Sequence, residues 1–305
     1  MKKIYVAGSI NMDLVIKTDI FPDNGMTVMG SGFMTNPGGK GANQAVAIAK
    51  ADGNVKMIGA VGDAFGNELI ETLNNYKVNT DLIKQYKDIS SGIAVIVISE
   101  NDNRIILDSG SNGRVTFEQI KESLTDAESG DYFLTQLEIP VNVVEESIKY
   151  AKSLGLITIL NPAPAQIVNE EIFNYLDYFI PNQTECEFYT GIRPSNIDEA
   201  IKAGQVLLQK GVKNVIITLG SLGALVVNQE GHEFAKAYKV EAIDTTAAGD
   251  TFVGVTTCFL SKGYNIKEAI KYGNLAARIT VQRPGAQQSI PYLNEILTDG
   301  EKGNN

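Results

Sequence analysis

The sequence predicts an α/β protein: a doubly wound, mainly parallel sheet with helices on both faces, joined to a small β-sheet lid. Three observations predict it. From Phe117 onward, short apolar runs rich in β-branched residues alternate with stretches long enough for about two to four helical turns, the rhythm of right-handed βαβ crossovers. Before that point, two pairs of strand-like runs have no helix between their members and stand outside the alternation. Polar side chains then recur just after the predicted strands, on the rim where open α/β sheets bind ligands.

In chain order, Ile4–Ile10 reads as a buried strand, with Asn11 and Asp13 at or just beyond its end. Leu14–Thr18 and Met26–Thr35 follow as two strands around the turn Phe21-Pro22-Asp23-Asn24-Gly25. The glycine-rich stretch Asn36–Asn43 is a loop, and Gln44–Lys50 continues it as an alanine-rich helix. Its spacing is not that of a P-loop. Val55–Val61 is a strand and Ala64–Tyr76 a helix. A second hairpin comprises Gly92–Ser99 and Arg104–Asp108, turned by Glu100-Asn101-Asp102-Asn103. The two hairpins are expected to pair into a lid, residues about 13–36 and 91–108, within a single domain spanning 1–305. The arm Ile93–Ile98 is apolar on both faces, so the lid sheet is expected to be covered by a second copy, giving a homodimer.

The alternating part assigns helices to Phe117–Leu124, Val143–Leu154, Glu170–Leu176 and Ile197–Lys210. Strands fall at Asp131–Leu137, Leu156–Leu160, Tyr178–Ile180 and Asn214–Leu219, with an antiparallel extension at Ala224–Val227 and His232–Val240. Helices Gly249–Leu260 and Ile266–Thr280 close the domain, and the tail Asp299–Asn305 reads as disordered.

Composition narrows the function classes. The 305 residues are 44% hydrophobic and 20% charged, with a formal net charge of −10. No long block of like charge occurs, which argues against nucleic-acid and anionic-membrane surfaces. No apolar run approaches the roughly 20 residues of a membrane helix, and the start lacks a signal-peptide pattern, so a cytoplasmic protein is expected. Cys186 and Cys258, the two cysteines, lie far apart inside predicted helices, and His232 is the one histidine, in a polar turn. Neither a thiolate metal site nor a serine–histidine triad can be assembled from them.

The chemistry therefore rests on the strand ends. They carry Asn11 and Asp13, Gln136 and Glu138, Asn161, Asn182 and Glu185, and Thr218 and Gly220. One further segment, Asp244-Thr245-Thr246-Ala247-Ala248-Gly249-Asp250, sets small residues ahead of an aspartate and an apolar run. Such a loop can expose the first amides of a helix to an anion; an ordinary helix start with a first-turn acid has the same look. Asn182 and Glu185 fit either a phosphate-facing pair or a capping box.

Taken together, GSINMD at 8–13, GGKGANQA at 38–45, QLE at 136–138, NPAPA at 161–165, PNQTE at 181–185, TLGSLGAL at 218–225, DTTAAGDTF at 244–252 and GAQQSIP at 285–291 resemble the ribokinase-like family of ATP-dependent carbohydrate kinases. The resemblance covers essentially the whole chain, and GGKGAN with NPAPA points to the ribokinase branch. It implies the ribokinase-like fold and phosphoryl transfer from ATP to the 5-hydroxyl of D-ribose, with deoxyribose, fructose or a nucleoside as alternative acceptors. It also implies Asp250 as catalytic base, beside an anion hole of the Ala247, Ala248, Gly249 and Asp250 amides. For the sugar it implies Asn11, Asp13, Gly39, Lys40, Asn43 and Glu138, with Asp250. For ATP it implies Asn182, Glu185, Thr218, Gly220, Ser221 and Gly223, with Gly249 near the phosphates and Asn274 near the base. Mg²⁺ would be held by Glu185 through water, and an activating K⁺ by Asp244, Thr246, Thr280, Arg283, Gly285 and Ser289. Met12, between Asn11 and Asp13, should point away from the sugar. A dinucleotide-dependent oxidoreductase fits poorly, because the strand ending Val6-Ala7-Gly8-Ser9 lacks GxGxxG. A silent sugar-binding protein would not need the intact Asp250 segment.

Overall fold

The computed structural model describes residues 1–99 and 102–302. Its main sheet has nine strands in the order β13-β12-β11-β10-β9-β8-β1-β4-β5. On one side of β1 (Lys3–Ala7) lie β4 (Asn54–Val61) and the edge strand β5 (Asn79–Gln85). On the other side lie β8 (Tyr132–Thr135), β9 (Ile157–Leu160), β10 (Tyr178–Phe179) and β11 (Asn214–Thr218), all parallel. Strands β12 (Gly223–Asn228) and β13 (Gly231–Lys236) extend it antiparallel. The chain starts at β1, builds outward to β5, and returns to β8 on the opposite side of β1. This reversal opens a crevice beyond the carboxyl ends of β1 and β8.

Alternation along β1 shows how the two layers form. Ile4 and Val6 face one core with helices α1 (Lys40–Lys50), α2 (Gly66–Asn75), α7 (Ala248–Ser261), α8 (Ile266–Thr280) and α9 (Leu293–Lys302). Tyr5 and Ala7 face the other, with α3 (Phe117–Ser123), α4 (Val141–Ser153), α5 (Gln183–Thr190) and α6 (Ile197–Gln209). Helix α7 lies unusually close to α1. A Cβ at Gly254 would sit 2.6 Å from the Gln44 carbonyl and 2.7 Å from the Ala47 methyl, so only glycine permits this approach. That contact aligns the first turns of two helices over the crevice.

The lid is a separate four-stranded sheet in the order β3-β2-β6-β7, from β2 (Asn11–Thr18), β3 (Gly30–Gly38), β6 (Gly92–Ser99) and β7 (Asp102–Asp108). The two hairpins join through the parallel pair β2 and β6, as the pairing of the hairpins required. Phe33, Val95, Ile105, Ile106 and Leu107 are exposed on it.

Several boundaries differ from expectation. The first strand stops at Ala7, and Asn11 and Asp13 begin β2, so they belong to the lid and not to the rim of the main sheet. Asn36-Pro37-Gly38 extends β3, and α1 starts directly at Lys40. The residues Glu170–Tyr175 form a 3-10 turn in place of the expected helix. Helix α9 continues to Lys302, where a disordered tail was expected from Asp299; residues 303–305 lie outside the described residues, as do 100 and 101 of the expected hairpin turn. Strand β5 was not foreseen at all. It is an edge strand whose NTDLIKQ sequence holds only Leu82 and Ile83 as apolar residues, too few to show a period.

Candidate active site

Asp250 stands in the first turn of α7 and is 9% exposed. Its Oδ2 accepts from the Asn43 side-chain amide at 3.0 Å, and its Oδ1 from the Gln44 amide at 2.9 Å. Both donors come from the first turns of α1. The carboxylate is thereby gripped on one side while it lines a cavity with Lys40, Asn161, Ala163, Ile180, Asn182, Glu185, Thr218, Thr245, Ala247 and Gly249. Ala247 caps α7 in the left-handed region at φ 59°, a conformation that costs an alanine energy and turns the chain sharply into the helix. Of the expected anion-hole amides, that of Ala248 is spent on the Thr245 carbonyl at 3.2 Å. Helix geometry leaves the Gly249 and Asp250 amides without acceptors inside α7, so these two can still serve an anion.

Of the residues expected to bind sugar, Asn43 touches Asp250, and Asp13 and Lys40 lie within its electrostatic reach. Asn11 and Asp13 lie on one face of β2, while Met12 points the other way and is fully buried, as the alternation required. Asn11 and Glu138 line a second cavity with Leu107, Asp108, Asn112, Gly113, Leu137 and Ile139 among others. Glu138 accepts from the Ser9 hydroxyl at 2.6 Å and the Lys40 amide at 3.3 Å. Gly39 caps α1 at φ 90°, packed against Ser9, Ile10 and Asn11. Asn43 Oδ1 is buried and has no protein partner, although the other end of the same amide is bound to Asp250. An acceptor left this way next to a carboxylate suits a ligand hydroxyl.

Four acidic or basic neighbours set the electrostatics. Burial, then the charges of Glu138 and Asp250, push the Asp13 carboxyl up to about 7, with Lys40 opposing. Burial likewise pushes Glu185 up to about 7, against its hydrogen bond from Asn182 and the nearby Lys40. Burial disfavours a charged Lys40, yet Asp250, Glu138, Glu185 and Asp13 together hold its ammonium above the ordinary lysine value. Lys40 is thus a cation held among four carboxylates, and its charge offsets part of theirs.

On the nucleotide side, Asn182 and Glu185 form the complete capping box. Asn182 Oδ1 accepts from the Glu185 amide at 2.9 Å, and Glu185 Oε2 from the Asn182 amide at 2.8 Å. Thr218 pairs across to Asn182 and Pro181 at the end of β11. The turn Gly220-Ser221-Leu222 leads to Gly223 at φ 126°, where a Cβ would meet the Ala235 carbonyl at 2.1 Å. Gly220, Ser221 and Gly223 do not line the cavity around Asp250 but continue outward from Thr218. Asn274 is buried and donates to the Ala235 carbonyl at 2.9 Å, which fixes it behind β13.

The residues fit both expected cations. Glu185 is a buried carboxylate facing the cavity with its charge suppressed by burial, and among the described residues no cluster of three or more histidine, cysteine or acidic side chains could cage a metal. A single carboxylate acting through water suits Mg²⁺, which keeps much of its hydration shell. Asp244 accepts from the Thr246 amide and the Gly285 amide, each at 2.9 Å, tying the two expected K⁺ loops together. Burial opposes its ionisation, but the Thr246 and Gly285 donors hold its carboxyl below the usual range. The Thr280 and Ser289 hydroxyls are spent on the Ala276 and Ala286 carbonyls, and the Arg283 guanidinium on Glu295 at 2.5 Å. A monovalent cation there would have to be held mainly by backbone carbonyl oxygens.

Sequence reasoning passed over Gln44, which holds the second oxygen of Asp250, and Asn112, whose amide donates to Asn11 Oδ1 at 2.7 Å. Gln44 sits in an alanine-rich helix, where glutamine reads as a plain helix former. Its position one residue beyond Asn43, in a loop already suspected of ligand contact, was the available signal.

A family model described as pfkB family carbohydrate kinase matches residues 1–293. A ribokinase of Schizosaccharomyces pombe is 40% identical, over 97% of this chain and 97% of its own. A deoxyribokinase of Salmonella typhi is 34% identical, over 98% and 99%. The structure of Arabidopsis thaliana ribokinase complexed with ribose and ATP superposes with a TM-score of 0.89 at 27% identity, covering 98% of both chains.

Proposed function

The chain belongs to the pfkB family of carbohydrate kinases, and within it we propose that the reaction is phosphorylation of D-ribose by ATP at the 5-hydroxyl, giving D-ribose 5-phosphate and ADP. The observation that carries the reading is the Asp250 carboxylate, held by Asn43 and Gln44 at the mouth of α7 beside Lys40, Asn182 and Glu185.

A sugar hydroxyl is far too weak an acid to ionise near neutrality, so its attack needs an acceptor within hydrogen-bond reach. Asp250 takes that proton as the oxygen bonds to the γ-phosphorus and the bond to ADP breaks. Charge on the transferring group is met by the Gly249 and Asp250 amides at the start of α7. Lys40 supports the same charge from the start of α1. The sugar is oriented by Asn11 and Asp13 from the lid, and by Gly39, Asn43 and Glu138 from below. A sugar lacking a hydroxyl would leave these buried groups unpaired, which is a strong basis for rejection. Thr218, Gly220, Ser221, Gly223 and Asn274 line the path of the nucleotide outward from the phosphates. Closure of the lid excludes water that would otherwise take the phosphoryl group.

Mg²⁺ bound near Glu185 would neutralise phosphate charge. Asp244, Thr246, Thr280, Arg283, Gly285 and Ser289 would hold K⁺ through carbonyls and so stiffen the loop that leads into α7. The reading extends to a homodimer through the lid sheet. Ile106 at 69% and Phe33 at 66% exposure are too apolar for a free sheet face, and light scattering in dilute solution tests it by mass. Among the described residues no helix is long and apolar enough to cross a membrane, and the reading places the enzyme in the cytoplasm with its ATP.

ADP release across ribose, 2-deoxyribose, fructose and nucleosides tests the acceptor. Ribose is expected to give the highest kcat/KM; a clear excess for deoxyribose or another acceptor reassigns the substrate.

A further inference from the structure

Beneath Asp250 runs a chain of side-chain amides whose direction is fixed at one end. The Asn161 amide nitrogen donates to the Ile180 main-chain carbonyl at 2.8 Å. A carbonyl can only accept, so Asn161 must present its oxygen to the next member. That oxygen accepts from Gln44 Nε2 at 3.0 Å. The same nitrogen gives its second hydrogen to Asp250 Oδ1 at 2.9 Å. The nitrogen is then fully used, and Gln44 Oε1 is left to accept from Gln136 Nε2 at 2.6 Å. Gln44, Gln136 and Asp250 come from α1, the segment after β8 and α7, and all are buried. A Cβ at Gly8 would stand 2.1 Å from Gln136 Oε1, so glycine at the end of β1 makes the room for this amide.

We propose that Gln44 is a positioning residue for the Asp250 base. Its amide cannot turn over without setting oxygen against oxygen at both Asn161 and Asp250, so the carboxylate always receives an N–H at Oδ1. With Asn43 holding Oδ2, rotation of the carboxylate is blocked and its remaining lone pairs stay turned to the cavity. An N–H donated to a carboxylate favours its ionised form, so loss of such a donor is read in the acidic limb of a pH profile. Gln136 acts one step further back, by occupying the only acceptor on Gln44. Asn161 and Gln136 touch neither oxygen of Asp250; they work through Gln44 alone. The inference rests on the reading of Asp250 as the base.

The test compares Gln44→Met, Gln136→Met and Asp250→Asn by steady-state kinetics across pH, using the best acceptor from the sugar panel, with folding checked by circular dichroism. Gln44→Met keeps the volume and removes the donor. It is expected to lower kcat by about 10- to 100-fold, with KM for sugar and ATP changed less than about threefold, and to move the acidic limb of the kcat profile to higher pH. Gln136→Met, which leaves Gln44 Oε1 without its donor and loosens the amide while Asn161 and Asp250 still fix its direction, is expected to give the same pattern more weakly. Wild-type kcat and an unmoved acidic limb in Gln44→Met overturn the proposal, as does a general loss with raised KM and an unmoved limb, the mark of a mere filler. Should Gln44→Met fail to fold, an unmoved limb in Gln136→Met overturns it. Retained turnover in Asp250→Asn removes the base and the relay with it; an inactive Asp250→Asn beside unaffected glutamine variants removes the relay alone.

Discussion

Asn43 and Asp250, 207 residues apart in the chain, meet through a 3.0 Å hydrogen bond that joins the first turn of α1 to the first turn of α7. One end of the Asn43 amide serves the carboxylate and the other stands buried without a partner. On the proposed reading this residue therefore faces both the base and the sugar. Asn43→Leu removes both functions while retaining bulk. We expect sugar KM to rise about tenfold or more and kcat to fall as well, each measured by ADP release, since a buried partner is lost on either side.

Asp13 makes the free enzyme sensitive to pH. Its carboxyl ionises at 3.8 when unhindered and at about 7 in the fold, because of burial and the Glu138 and Asp250 charges. Between those values the folded protein keeps a proton that the unfolded chain has released. The stability from this site is thus complete below the lower value and is lost as pH rises through the upper one. Asp13→Asn is expected to raise the thermal midpoint of ligand-free protein by several degrees near pH 8 and hardly at all near pH 4, while weakening sugar binding.

Glu185 is expected to set the Mg²⁺ requirement. Glu185→Gln keeps an oxygen to accept from the Asn182 amide, now 2.8 Å away, so the cap on α5 survives. The magnesium concentration for half-maximal rate should rise about five- to tenfold, with sugar KM little changed, in a magnesium titration at fixed ATP.

The alternating sheet, the lid hairpins and the polar strand ends were legible because each depends on local pattern. Short β-branched runs such as Val215–Ile217 read as buried strands, and strand ends are where ligands collect in open α/β sheets. The bend at Gly8–Ile10 was not legible. Ile10 is as apolar as the strand before it, and only the packing of Gly8 against Gly41 shows that the chain leaves the sheet there to carry Asn11 and Asp13 into the lid. The contacts of Gln44 were hidden for a related reason. They depend on how closely α7 approaches α1, which is decided at Gly254, far along the sequence. The K⁺ loop is expected from resemblance alone, since backbone carbonyls leave no side-chain signature.

Lys50, at the other end of α1, braces that loop. Its buried ammonium donates to the Gln287 and Ile290 carbonyls, both at 2.8 Å, on either side of Ser289. It also lies 4.3 Å from the centre of the Tyr76 ring. Lys50→Met leaves two buried carbonyls unpaired, at a cost of about 2–5 kcal/mol by thermal or urea unfolding. The K⁺ concentration for half-activation should rise as the loop loosens.

The central claim is that Asp250 accepts the proton of the attacking hydroxyl, and the most direct measurement is the turnover of Asp250→Asn with ribose and saturating ATP. Asparagine keeps the shape and can still meet one of the two amide donors, but it cannot take a proton. The expected result is a folded protein whose kcat is lower by about 10²- to 10⁴-fold. A folded Asp250→Asn enzyme turning over at the wild-type rate would contradict it.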